Sequence, residues 1–275
     1  MARSCHRALH TGRVLLASLA PARRRVVLGA LALLVALLLL VGGLVLRAAL
    51  DDVEPVPQDA RGPVLLVSGY GGDVASLAPL AEAIEEDGRD VEVVPAVGDG
   101  TGDLDAQAEA LGERVDEVLA GGAPSVDVVG YSAGGVVARA WVADHGGAEQ
   151  ARRVVTLGSP HHGTGTAQLA LDAAGTCPEA CVQLAPDSDF LRALNAGDET
   201  PAGPAYTSIW TDADRTVTPP DSARLEGAVN LTVQELCAPA RPGHGDLPGD
   251  PVAQTLVVGA LQSPDPSQPE FASAC

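Results

Sequence analysis

Residues 126–135 read Val-Asp-Val-Val-Gly-Tyr-Ser-Ala-Gly-Gly, a short β-branched run ending in Gly130-x-Ser132-x-Gly134. Val136 to Val142 then continue with residues that suit a helix. The pattern is that of a strand, a tight turn with serine at its apex, and a helix. Such a turn holds the serine in strained backbone geometry, so its hydroxyl stands clear of the sheet at the helix N-terminus. Glycine flanks it because a Cβ on either side would collide with the neighbouring strand or helix. The chemistry this offers is nucleophilic attack. A solvated serine in a Gly-rich turn has the same pentapeptide, so the reading depends on the partners a nucleophile needs: a base, an acid to orient it, and N–H donors for an oxyanion.

Candidates for all three occur at the carboxyl ends of predicted strands, where an open parallel sheet gathers its chemistry. After the first strand comes Ser68-Gly69-Tyr70-Gly71-Gly72, a loop able to turn the Tyr70 N–H toward the serine; with the N–H of Ala133 it would make a two-donor hole. After the fifth comes Thr211-Asp212-Ala213-Asp214-Arg215, where two acids compete and Arg215 could instead pair with Asp212 at the surface. Of six histidines, His6 and His10 precede a long apolar segment and His145 ends the helix after the serine. His161 and His162 come before the acid, and only His244 lies both after it and past the last strand, where a base must sit to reach Ser132.

The elements that must position these residues are short apolar runs alternating with longer amphipathic ones. Strands are predicted at Val64–Ser68, Val91–Val94, Val126–Val129, Val154–Leu157, Ala205–Trp210 and Ala228–Val233. Helices are predicted at Leu77–Glu86, Leu104–Ala120 (capped by Asp103), Gly135–Asp144 and from Pro251 to about Leu261 (capped by Asp250). The alternation predicts an α/β fold with a mainly parallel six-stranded sheet and helices on both faces. Residues 159–204 form a long connection in which Phe190, Leu191 and Leu194 recur at helical spacing. That short helix either packs on the core or covers the cleft and lends it an apolar face.

Composition limits the partners. There is no lysine; beyond residue 48 ten arginines stand against 36 acids, a formal charge of −26. Such a domain lacks the basic patch that binds nucleic acid. Val26–Leu46 is 21 residues without a charge, preceded by Arg23-Arg24-Arg25 and followed by Asp51 and Asp52. This predicts a signal anchor: a cytoplasmic tail (1–25), a membrane span (26–46), a linker (47–61), an extracytoplasmic domain (62–262) and a Pro-rich tail (263–275). The rival is a cleaved signal peptide and secretion. Cys177, Cys181, Cys237 and Cys275 then lie outside: the first two could close a small loop, leaving the others to pair, with Cys5 free.

Taken together, Val64-Leu-Leu-Val-Ser-Gly-Tyr-Gly-Gly-Asp, Val129-Gly-Tyr-Ser-Ala-Gly-Gly-Val, Leu157-Gly-Ser-Pro-His-His-Gly-Thr, the Thr211–Pro219 loop and Gly243-His-Gly-Asp-Leu resemble the small secreted α/β-hydrolase lipases of the bacterial class-2 type and their actinobacterial relatives. The resemblance implies Ser132 as nucleophile, His244 as base, and the amides of Tyr70 and Ala133 as oxyanion hole. It selects Asp214 over Asp212 and implies that His161 and His162 wall the acyl cleft; Phe190 is a further substrate contact if the short helix of the 159–204 connection covers that cleft. Ser68 stands where the family has histidine, which puts rate and substrate preference in question. The resemblance implies a serine ester hydrolase of esters or lipids that needs no metal or organic cofactor; with the N-terminal segment added, the expectation is a monomer whose membrane contact is through that helix only. An acyltransferase and a non-catalytic binding module of the same fold are the alternatives.

Overall fold

Six of the short apolar runs become strands in the computed structural model, which describes residues 20–50, 53–271 and 275. Cys5, His6 and His10 lie outside the described residues. The strands are β1 (Val64–Val67), β2 (Val91–Val94), β3 (Val126–Tyr131), β4 (Ala151–Leu157), β5 (Ala205–Trp210) and β6 (Val229–Thr232). All pair in parallel, in the order β2-β1-β3-β4-β5-β6. The order reverses direction between β1 and β3, and crevices for ligands open at such a point.

Buried parallel strands offer both faces to helices. On one side Leu65, Val126, Val128 and Val154 pack under α3 (Leu104–Ala120) and α4 (Ala133–Asp144), around the fully buried Trp141. On the other, Val64, Leu66, Val129 and Val155 pack under α2 (Ala78–Glu86) and α9 (Pro251–Gln262). Asp103 caps α3 by accepting the Asp105 N–H, and Asp250 caps α9 by accepting those of Val252 and Ala253. Between β4 and β5 lie α5 (Gly165–Ala174), α6 (Glu179–Gln183) and α7 (Asp189–Leu194); α8 (Val233–Leu236) follows β6.

The strand β4 begins three residues before the predicted start. Arg152 and Arg153 open it, and both are buried despite their charge. Arg152 bonds Asp127 and the Leu261 carbonyl (3.0 Å), while Arg153 bonds the Ser263 carbonyl (2.5 Å) and that of Ala260. Arg89 adds a second partner for Asp127 at 2.7 Å. Arg152 and Arg153 meet the carbonyl end of α9, where the helix dipole favours positive charge. The tail beyond is tied back: Phe271 packs on the core and Cys237 is bonded to Cys275, while Cys177 is bonded to Cys181.

The N-terminal segment is a separate unit. Its helix, α1 (Pro21–Leu50), contains the stretch Arg25–Gly43, long and apolar enough to cross a membrane and without a buried residue.

Candidate active site

Ser132 sits between β3 and α4 with φ of 55° and ψ of −126°, a left-handed backbone conformation that costs a residue with a side chain about 1–3 kcal/mol. The glycines are required around it. A Cβ on Gly134 would fall on the carbonyls of Val67 and Ser68, and one on Gly130 would meet the backbone of Gly134 and Gly135. Strand register places Val67 of β1 beside Gly130 of β3, so the loops that leave these two strands lie side by side.

The three separated candidates meet there. His244 Nε2 lies 2.9 Å from Ser132 Oγ, and His244 Nδ1 lies 2.7 Å from Asp214 Oδ2. The other oxygen of Asp214 accepts N–H bonds from Thr216 and Val217, both 2.8 Å, and the carboxylate is almost wholly buried. A carboxylate at that point accepts the hydrogen bond of Nδ1–H and so leaves the Nε2 lone pair facing the serine hydroxyl. Asp212 is exposed and lies outside this chain of bonds.

The loop carrying Tyr70 presses on the serine: a Cβ on Gly69 would stand 2.9 Å from Ser132 Cβ. Among the described residues neither the Tyr70 amide nor the Ala133 amide has a hydrogen-bond partner. Ser68 is buried, and the loop is braced by backbone instead of a histidine side chain, with Gly71 N–H donating to Gly100 (3.1 Å) and Gly72 N–H to Gly69 (3.0 Å).

Beside Ser132 opens a cavity of about 370 Å³ with a largely apolar wall of Tyr70, Pro160, Ala167, Cys181, Leu184 and Val217. Its far side is thus built by α5 and α6, with the Cys177–Cys181 bridge in the wall. The remaining predicted contacts are elsewhere. His161 is fully buried, its Nε2 3.0 Å from Thr156 Oγ1, which itself donates to Ser208. Burial first, then the nearby Arg139 and His162, depress its pKa well below 6.5, so it is neutral. His162 faces outward against Glu199 at 2.8 Å. Phe190 does lie on a short helix, but that helix packs Phe190 and Leu194 on the α3–α4 side of the core instead of the cavity. Outside α1, the large apolar side chains exposed among the described residues are Tyr70, Val74, Val97, Leu169 and Val182. They lie on the loops after β1 and β2 or on α5 and α6; of these segments the Tyr70 loop, α5 and α6 line the cavity.

The profile of the palmitoyl protein thioesterase family matches residues 63–212, from the start of β1 to just past β5, so it includes Tyr70 and Ser132 and stops short of Asp214 and His244. No curated protein matches the chain significantly. Among solved structures, lipase B of Aspergillus fumigatus is 21% identical, with a TM-score of 0.67 over 77% of this chain; the chain spans only 55% of that protein. Lipase BlEst2 of Bacillus licheniformis in its propeptide form is 19% identical, with a TM-score of 0.63, covering 80% of this chain and 55% of that one. Its mature form gives 0.54 at 21% identity, covering 64% and 85%. At these identities the lipases establish the α/β-hydrolase fold, and nothing in them separates the bacterial class-2 group from its relatives. The family profile reaches further: with over half its length matched, across the elbow and five of the six strands, the chain belongs to the palmitoyl protein thioesterase family.

Proposed function

We propose that this protein is a serine-dependent carboxylic ester hydrolase working through Ser132, His244 and Asp214. The observation that carries the reading is the unbroken line of hydrogen bonds from Asp214 through His244 to the strained serine. In the first half-reaction Ser132 Oγ attacks the acyl carbonyl as His244 Nε2 takes its proton; the amides of Tyr70 and Ala133 hold the oxyanion. The protonated imidazole, kept in register by Asp214, gives its proton to the departing alcohol. Water, deprotonated by the same nitrogen, then releases the acid from the acyl-enzyme. The apolar cavity beside Ser132 receives the acyl chain.

The family's name adds a second substrate class, fatty acyl thioesters of proteins, which use the same acyl-enzyme and differ only in releasing a thiol. We place the active unit outside the cytoplasm, held to the membrane by α1 or set free by cleavage, as the arginines before the span and the two disulfides favour. The test is the full chain and its Ser132→Ala variant against p-nitrophenyl esters and acyl thioesters of increasing length, with fluorophosphonate labelling alongside. Ser132→Ala is expected to lose labelling and at least about 10³-fold in kcat. Wild-type turnover in that variant would overturn the assignment, and an acyl ester formed when alcohol is supplied would redirect it to acyl transfer.

A further inference from the structure

Tyr131 stands next to Ser132 in the chain, at the end of β3, and its side chain turns toward the base. Its hydroxyl donates to the His244 carbonyl at 3.0 Å, and its ring lies 5.2 Å from the imidazole, centroid to centroid, with the planes 30° apart. The residue is 8% exposed, fixed in the layer formed by β3, α2 and α9. His244, by contrast, is on a surface loop. It opens the short turn His244–Gly249, lies between Gly243 and Gly245, and has an exposed neighbour bond from the Gly243 N–H to Asp246 (3.0 Å). Glycine on both sides leaves that backbone many conformations, while transfer of the serine proton needs the imidazole within a fraction of an ångström.

We infer that Tyr131 is a positioning residue for His244, tying the base's backbone with its hydroxyl and supporting its ring with its own, so that one rigid strand places nucleophile and base together. The inference rests on the reading of Ser132 and His244 given above. The tether also holds across the working pH range, because burial, and then the carboxylates of Asp214 and Asp246, push the tyrosine pKa up to about 12 and keep it a donor.

The experiment is a double-mutant cycle in the full chain, measured with an activated p-nitrophenyl ester. Tyr131→Phe keeps the ring and removes one neutral hydrogen bond, so kcat should fall about three- to tenfold with KM within about twofold. The rate at which a fluorophosphonate labels Ser132 should fall by the same factor, since labelling needs the activated serine but no acyl cavity. In a His244→Ala background the same change should alter the residual rate less than about twofold. Tyr131→Leu, which removes the ring as well, should lower kcat further than Tyr131→Phe. Unchanged kcat and labelling in Tyr131→Phe would overturn the inference while leaving the base in place. So would an equal loss in both backgrounds, which would mean that tyrosine acts on the elbow and not through histidine. Undiminished turnover in His244→Ala itself would remove the base, and this inference with it.

Discussion

Asp214 divides its two oxygens: Oδ1 is fixed by the amides of Thr216 and Val217, and Oδ2 is left to face His244. A carboxylate so held cannot swing away when the imidazole becomes charged, and it selects the tautomer that leaves Nε2 free. Asp214→Asn should therefore lower kcat by about 10²–10⁴ by favouring the wrong tautomer, whereas Asp212→Asn, at an exposed position, should change it less than about twofold. Steady-state kinetics on one activated ester compares the two, and the larger loss at Asp212 would reverse the choice of acid. Chain order alone left both acids open; what separates them is the local turn that aims one carboxylate inward. The serine and histidine that lie 2.9 Å apart carried a clearer signal, because a tight elbow has a glycine signature and only one histidine follows the two acids in the chain. The roles of Tyr131 and Gly100 had no such signal, since each depends on a segment about 30 to 110 residues away in sequence.

At the scale of elements, charge misled where it was buried. Two arginines concealed the start of β4 because apolar runs are the usual mark of a covered strand. Here they are the second and third residues of the strand and satisfy themselves on Asp127 and on carbonyls at the end of α9. Asp127 thus balances Arg89 and Arg152 in a region closed to water. Asp127→Asn should destabilise the domain by about 3–5 kcal/mol, the cost of leaving buried cations unpaired, and do so without altering KM. Chemical denaturation of the full chain measures this, and a loss under about 1 kcal/mol would show that the helix carbonyls suffice. The connection between β4 and β5 is the complementary case. Phe190, Leu191 and Leu194 do mark a helix, but periodicity gives a helix its apolar face without saying which surface that face meets. The cavity wall came from α5 and α6, whose moderate apolar pattern resembles that of any surface helix.

Over the whole molecule, the class of fold was legible because six apolar runs alternate with helical ones, and parallel strands must be joined that way. The order of the strands was not, since a crossover can land on either side of the strand it leaves; here the reversal between β1 and β3 sets the loop carrying Tyr70 beside the elbow. The buried arginines have one more effect, on how this molecule meets others in solution. Of the ten arginines beyond residue 48, Arg89, Arg139, Arg152 and Arg153 are inside, whereas among the described acids only Asp127 and Asp214 are. Folding therefore spends cations on the interior and leaves six to screen an overwhelmingly acidic exterior. The field reaches about 30 Å at 0.01 M salt and about 8 Å at 0.15 M, so encounters with negatively charged lipid should be slow in dilute buffer and quicken as salt is added. On vesicles containing phosphatidylserine, kcat/KM for a lipid ester is expected to rise several-fold, about three- to tenfold, between those ionic strengths. On neutral phosphatidylcholine vesicles it should stay flat, and a rate that falls with salt on the anionic ones would point instead to a cationic docking face.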